Sequence, residues 1–200
     1  MLTHKGTVTL TTPRLLLRRF APEDAQGVYD GYTSDALVSE RHNLDAHASV
    51  EETRALLAGW IAQYGDLRYY HWAIEHEGAV IGEINLFDVA DGPERCELGY
   101  TIGSKWWNSG FATEAAAEVL RFAFEEVHFH RVYARHDPEN AASGKVMRKI
   151  GMRQEGLFRE HSLRRDGTKG DVAFYGILRS EWAAHACAPE QEAASGNLHR

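Results

Sequence analysis

Only two cysteines and five prolines punctuate the 200 residues, and no apolar run reaches the length that a membrane helix needs. Cys96 lies in a strand-like run and Cys187 near the C-terminal end, so two free thiols are expected rather than a disulfide scaffold. The opening Met1-Leu-Thr-His-Lys-Gly6 lacks the apolar core of a signal peptide, which makes a cytoplasmic protein the expectation. Positive charge is also short: 22 Lys and Arg face 29 Asp and Glu, a formal net charge of −7. That balance argues against a nucleic-acid partner, whose phosphate backbone asks for a basic surface. A small anion held in one local pocket stays compatible with it. Eleven histidines are present, but His128-Phe-His130 has no cysteine partner and no His-Glu-x-x-His pattern, so no metal site is expected. Neither a Gly-Lys-Ser/Thr phosphate loop nor a three-glycine dinucleotide fingerprint occurs, and there is no internal repeat.

What the chain does carry is regular alternation broken by turn residues. Arg14 to Phe20 reads as a strand whose Leu15, Leu16 and Leu17 are too continuous for burial on one side only. Ala21-Pro-Glu-Asp24 opens a short helix, with proline and acids suited to a first turn. Ser49-Val-Glu-Glu52 is a capping box ahead of a second helix bearing Ala55, Leu56, Gly59 and Trp60 on one face. His71 to His76 and Val80 to Phe87 flank Glu77-Gly78 as a hairpin, and Arg95 to Gly103 follows the break at Asp91-Gly-Pro93. A helix over Thr113 to Val127, a strand over Val132 to His136 and a helix over Asn140 to Ile150 come next, the last ended by Gly151. Met152 to Leu163 and Lys169 to Leu178 form a closing hairpin around Arg165-Asp-Gly-Thr168. From Ala183 the chain turns Ala-rich and polar, so one domain is expected over residues 1–182 and a tail over 183–200, mobile beyond about 188. This order of elements implies an α/β fold of the α+β type, a mixed sheet with helices on both faces.

Between the third strand of the middle group and the following helix runs Gly103-Ser-Lys-Trp-Trp-Asn-Ser-Gly-Phe-Ala-Thr-Glu-Ala115. A strand-to-helix junction of this kind aims several backbone N–H groups at one point, and the helix start adds a positive dipole end. Gly110 lets the backbone approach a ligand without an intervening side chain, and small Ala112 does the same one turn on. Two readings fit the loop by itself: a pyrophosphate cradle, and a plain surface loop before an amphipathic helix.

The loop has company along the chain. Trp107-Asn108-Ser109-Gly110-Phe111-Ala112 matches the Gln/Arg-x-x-Gly-x-Gly/Ala signature, and over residues 10 to 182 the sequence resembles the GNAT superfamily of acyl-CoA N-acyltransferases. Thr12-Pro-Arg-Leu-Leu-Leu-Arg-Arg-Phe20, Glu97-Leu-Gly-Tyr-Thr-Ile102, Asn140-x-x-Ser143 and Tyr175-Gly-Ile-Leu178 are similar to the branch that acetylates ribosomal-protein N-termini. One position departs: Trp107 stands where Gln or Arg is usual, so backbone amides rather than that side chain are expected to bind. The resemblance implies a splayed sheet of about seven strands, with acetyl-CoA as co-substrate and its pantetheine lying between Glu97–Ile102 and Val132–His136. It further implies that Trp107, Asn108, Ser109, Gly110, Phe111, Ala112 and Thr113 hold the pyrophosphate, that Asn140 binds the pantetheine arm, and that Ser143 protonates the departing thiolate. A monomer, or a homodimer through the C-terminal strands, is expected.

Direct acyl transfer needs a neutral amine, a donor for the oxyanion and a proton for the thiolate. A protein α-amine titrates near 8 and is roughly a tenth neutral at pH 7, whereas a lysine amine near 10.4 is almost wholly protonated. A protein N-terminus is therefore the first choice of acceptor, with an aminoglycoside or polyamine second, and an acyl-CoA sensor without turnover as the non-enzymatic alternative. Glu97 and Glu160 are the candidate bases, directly or through a water. Each residue also has a plainer reading: a solvated strand-face charge for Glu97, and surface pairing with Arg159, Arg164 or Arg165 for Glu160. Asn140 is a favoured helix cap, and Ser143 an ordinary first-turn residue.

Overall fold

The computed structural model describes residues 1–42 and 45–186. Among these the strands are β1 (Leu10–Thr11), β2 (Leu16–Arg18), β3 (Tyr70–His76), β4 (Ala79–Ala90), β5 (Arg95–Ile102), β6 (Arg131–His136), β7 (Arg153–Leu163) and β8 (Lys169–Leu178). The helices are α1 (Ala25–Val28), α2 (Ala36–His42), α3 (Val50–Ile61), α4 (Phe111–Arg121), α5 (Ala141–Lys149) and α6 (Arg179–Ala186). All eight strands join one sheet in the order β1-β2-β3-β4-β5-β6-β8-β7, in which β5 and β6 run parallel and every other neighbouring pair is antiparallel. The count exceeds the expected seven by one because Leu10 and Thr11 fold back on Leu17 and Leu16 as a two-residue strand.

Period-two alternation assigns the two faces. Tyr70, Trp72 and Ile74 of β3 point with Ile84, Leu86, Cys96 and Leu98 into the larger core, which α4 and α5 cover with residues such as Val119, Leu120 and Met147. Ala73 points the other way, into a smaller core closed by Val28 of α1, Val38 of α2 and Leu57 of α3. Trp72 is wholly buried, and a side chain of this class contributes roughly 1.5–3 kcal/mol by leaving water. Leu15 and Leu17 are buried in the larger core while Leu16 between them is half-buried, so the leucine run is buried on one side, against the expectation from its continuity. Ser49 caps α3 by accepting from the Glu52 amide at 3.4 Å, while the Glu52 carboxylate accepts from Ala48 N at 2.9 Å.

Three elements depart from the alternation-based expectation. α2 was not anticipated; its start is fixed by Asp35, whose Oδ1 accepts from the amides of Leu37 (3.0 Å) and Val38 (3.4 Å). The helix expected over 113–127 begins earlier, at Phe111, and widens into a π turn over Phe122–Val127. Helix α6 carries the chain past residue 182 to Ala186. Cys187 and the rest of the expected tail lie outside the described residues. No described helix is long and apolar enough to cross a membrane.

Candidate functional site

The two central strands part company. β5 and β6 pair only at Arg95↔Arg131, Cys96↔Val132 and Glu97↔Tyr133. Beyond that point β5 stays with β4 as far as Ile102, and β6 stays with β8 as far as His136. Each strand follows its outer neighbour, so a V opens at Glu97. The inward backbone N–H and C=O groups along the V have no ladder partner, and such groups require one when buried. An extended ligand carrying amides can supply it as an added strand would.

Two cavities meet in this V. One, of about 950 Å³, is lined by Glu97, Gly99, Arg135 and His136 of the parted strands, by Arg41 of α2 and by His161 of the last hairpin. The other, of about 610 Å³, lies against the loop from Trp106 to Thr113 and the face of α5 that bears Lys145 and Lys149. Tyr100, Asn140 and Ser143 line both and mark where they join.

The loop is built to leave its amides free. Ser104 to Trp106 makes one 3₁₀ turn after β5, and Asn108 (φ 62°) and Gly110 (φ 83°) both take the left-handed conformation. Gly110 is the N-cap of α4 and offers no capping side chain. The first helical bond runs from Glu114 N to Gly110 O at 3.0 Å, so the amides of Phe111, Ala112 and Thr113 precede the helical ladder. Unspent N–H groups at a helix start are an anion site in waiting. The indole of Trp107 turns back, and Nε1 donates to Ile102 O at 2.7 Å. This side chain braces the loop against the end of β5.

Glu97 is the last residue of β5 paired with β6 and stands at the apex of the V. It is buried, at 4% exposure, so it is no solvated strand-face charge. Burial pushes its carboxyl above the usual range, opposed by Arg135, whose Nε donates to Oε1 at 2.8 Å. Three residues on, Tyr100 projects from the opposite face, because alternation along β5 groups Glu97 with Gly99 and Thr101 and groups Tyr100 with Leu98. The Tyr100 hydroxyl donates to Ser143 O at 2.9 Å and lies 3.0 Å from Ser143 Oγ. Burial pushes the phenol up to about 12, with the Ser143 contact opposing. Asn140 caps α5: its Oδ1 accepts from Ser143 N at 3.4 Å.

The structure therefore gathers Glu97, Asn140, Ser143 and the residues 107–113 around one connected space. Glu160 is the exception: the structure does not bring it to this space. It lines neither cavity, its side chain is 71% exposed, and its nearest cation is Lys169 Nζ at 4.0 Å. The cause is a bulge: the β7–β8 register shifts between Phe158 and Ser162, and Glu160 sits at φ 51° within it. From this hairpin His161, Ser162 and Arg164 reach the cavity instead. Arg164 is bound to Asp137 and Glu139, at 3.0 Å each. In the sequence Tyr100 is one residue of the Glu97–Ile102 strand; the fold brings it to Ser143, 43 residues away.

Comparison with known proteins shows the family and the fold. Residues 14–153 match the family model described as an acetyltransferase (GNAT) domain. The chain is 34% identical over 174 residues to the uncharacterized N-acetyltransferase YnaD of Bacillus subtilis (strain 168), covering 86% of this chain and 98% of that one. It is 30% identical over 186 residues to the ribosomal protein uS5-alanine N-acetyltransferase of Escherichia coli (strain K12), covering 88% and 93%. The crystal structure of a GNAT-family acetyltransferase from Bacillus anthracis matches with a TM-score of 0.74 at 30% identity, over 86% of this chain and 99% of that one.

Proposed function

The chain belongs to the GNAT family and is an acetyl-CoA-dependent N-acetyltransferase; on that premise we propose that it acetylates a protein N-terminal α-amine by direct attack on the thioester, with Glu97 as base and the Ser143–Tyr100 pair as acid. The observation that carries this reading is the parting of β5 and β6 at Glu97, with a carboxylate on one face of β5 and a hydroxyl pair on the other.

In this reading the diphosphate of the co-substrate rests on the amides of Phe111, Ala112 and Thr113, with Asn108, Ser109 and Gly110 shaping the approach. Trp107 contributes its backbone position and not its side chain. The pantetheine arm runs along the unpaired edge of β5, near Asn140. The acceptor enters through the larger cavity, between α2 and the last hairpin. Glu97 removes its proton, directly or through a water; a positioned base contributes about 10²–10⁴-fold. A raised carboxyl pKa suits that role, because it brings the base nearer to the amine it serves. The unpaired backbone N–H groups beyond Glu97 are available to the oxyanion. The thiolate leaves toward the other face, where Ser143 Oγ–H supplies a proton and the Tyr100 hydroxyl hydrogen-bonds to that oxygen. Cys96 is unsuited to carry the acetyl group: it is wholly buried in the larger core, and burial pushes its thiol well above the ordinary range.

Two considerations support the α-amine. The uS5-alanine N-acetyltransferase is similar over most of both chains. An α-amine is also far less protonated at pH 7 than a lysine, which asks less of one carboxylate. The test is CoA release across N-terminal peptides, lysine peptides, aminoglycosides and polyamines. The highest kcat/KM should fall on an N-terminal peptide. A higher value for an aminoglycoside or polyamine would sink the α-amine assignment.

A further inference from the structure

We propose that Arg14, in the turn between β1 and β2, is a positioning residue for the diphosphate loop: it fixes the Ser109 peptide and keeps the Glu114 carboxylate off the anion site. The inference rests on the reading of that loop given above.

Glu114 is the one acidic residue in the first turn of α4. A carboxylate there is drawn to the positive end of its own helix and would compete with a phosphate for the same amides. It is held away by the β1–β2 turn. Oε1 accepts from Thr12 Oγ1 at 2.6 Å and from Arg14 N at 3.0 Å. Oε2 accepts from Arg14 Nε at 2.7 Å, and Arg14 Nη2 stands 2.6 Å from it in the ion pair. Three donors from Thr12 and Arg14 thus occupy both oxygens, and the Arg14 guanidinium adds an ion pair.

The same guanidinium reaches the loop. Nη1 donates to Ser109 O at 3.0 Å, and Cζ lies 4.5 Å from the centre of the Phe111 ring. Ser109 and Phe111 bracket Gly110, and the nearest heavy atom to a Cβ built there is Arg14 Nη2, at 3.5 Å. The peptide between Ser109 and Gly110 is trans, so its C=O and N–H point in opposite directions. Pinning the Ser109 carbonyl on Arg14 therefore aims the Gly110 N–H away from Arg14. Arg14 does not line the loop-side cavity, whereas Ser109, Gly110 and Phe111 do. Its action on a bound anion runs through those residues and through the neutralised Glu114.

The test compares two donors carrying the same thioester, acetyl-CoA and acetyl-pantetheine, which lacks the diphosphate. Arg14→Ala should raise the Kd and KM for acetyl-CoA about 10-fold or more, the scale of one charge-assisted hydrogen bond. kcat at saturating acetyl-CoA and turnover of acetyl-pantetheine should stay near wild type. Adding Glu114→Gln to Arg14→Ala should recover most of the lost affinity, because the released carboxylate is what repels the phosphates. An acetyl-CoA Kd within twofold of wild type in Arg14→Ala overturns the proposal. So does an equal loss for both donors, which marks general damage to the fold. Failure of Glu114→Gln to recover affinity removes the shielding role. If wild type itself binds acetyl-CoA no more tightly than acetyl-pantetheine, the diphosphate reading of the loop fails, and the role of Arg14 fails with it.

Discussion

Replacing Arg135 by methionine removes the cation that opposes the raised pKa of Glu97 while leaving the carboxylate in place. At the observed 2.8 Å separation, the attraction is about 1.5 kcal/mol with full water screening and about 6 kcal/mol at an effective dielectric constant of 20. Arg135 is 45% exposed, so the screened end of that range applies. With that opposing cation gone, burial acts alone and the Glu97 carboxyl should rise further in Arg135→Met. A base works only when ionised, so activity must move toward higher pH. The assay is log kcat/KM against pH with one acceptor peptide. Both enzymes share the break set by the acceptor's α-amine, near 8. Below the Glu97 pKa the slope should steepen from one to two. That lower break should lie at higher pH in Arg135→Met than in wild type, and Glu97→Gln should lack it. Stability offers an independent check with a definite sign. A carboxyl whose folded pKa lies above its unfolded value binds its proton more tightly in the native state. Its contribution is therefore complete below the unfolded pKa and is lost as pH rises through the folded one. Wild type should lose melting temperature across that window, and Glu97→Gln should lose less. An unmoved lower break in Arg135→Met, with a flat Glu97→Gln comparison, would refute the assignment of Glu97.

The loop and the acid make two further predictions. Gly110→Val forces a β-branched residue to φ 83°, where even an ordinary L-residue pays roughly 1–2 kcal/mol, and it places a side chain beside the amides; acetyl-CoA Kd by calorimetry should rise at least about 10-fold. Trp107→Phe loses only the 2.7 Å bond to Ile102 O, so about 1 kcal/mol of stability should go while the Kd stays within a few-fold. Ser143→Ala should lower kcat at saturating acetyl-CoA by about 10²-fold if it is the acid, and Tyr100→Phe should lower it less, without changing the acetyl-CoA Kd. An unchanged kcat in Ser143→Ala removes that residue from the mechanism.

Most strands were legible because alternation and Gly turns are local signals, and the β3–β4 and β7–β8 hairpins fall where Glu77-Gly78 and Asp166-Gly167 placed them. Helix α2 was not, since Ala36 to His42 is too short for a helical stripe, and only the Asp35 cap announces it. Glu97 and Glu160 look alike in sequence, each a carboxylate in a strand. What separates them is non-local. Glu97 is buried against Arg135, a residue on the neighbouring strand, whereas a bulge turns Glu160 to solvent. A bulge leaves no signature in the alternation, and the side chains beyond it change face. Tyr100 and Ser143 are 43 residues apart in sequence and meet only because α5 packs across the V. The cofactor loop was legible as a strand-to-helix junction, but the backward turn of the Trp107 indole and the contacts of Arg14 depend on residues brought in by the fold.

A crystal structure with acetyl-CoA bound tests the central claim most directly. The account predicts diphosphate oxygens within hydrogen-bond distance of the amides of Phe111, Ala112 and Thr113. It also predicts pantetheine along β5 between Leu98 and Ile102, and the thioester carbonyl carbon between Glu97 and Ser143. A cofactor bound elsewhere, or a thioester with neither residue within reach of it, would contradict the account.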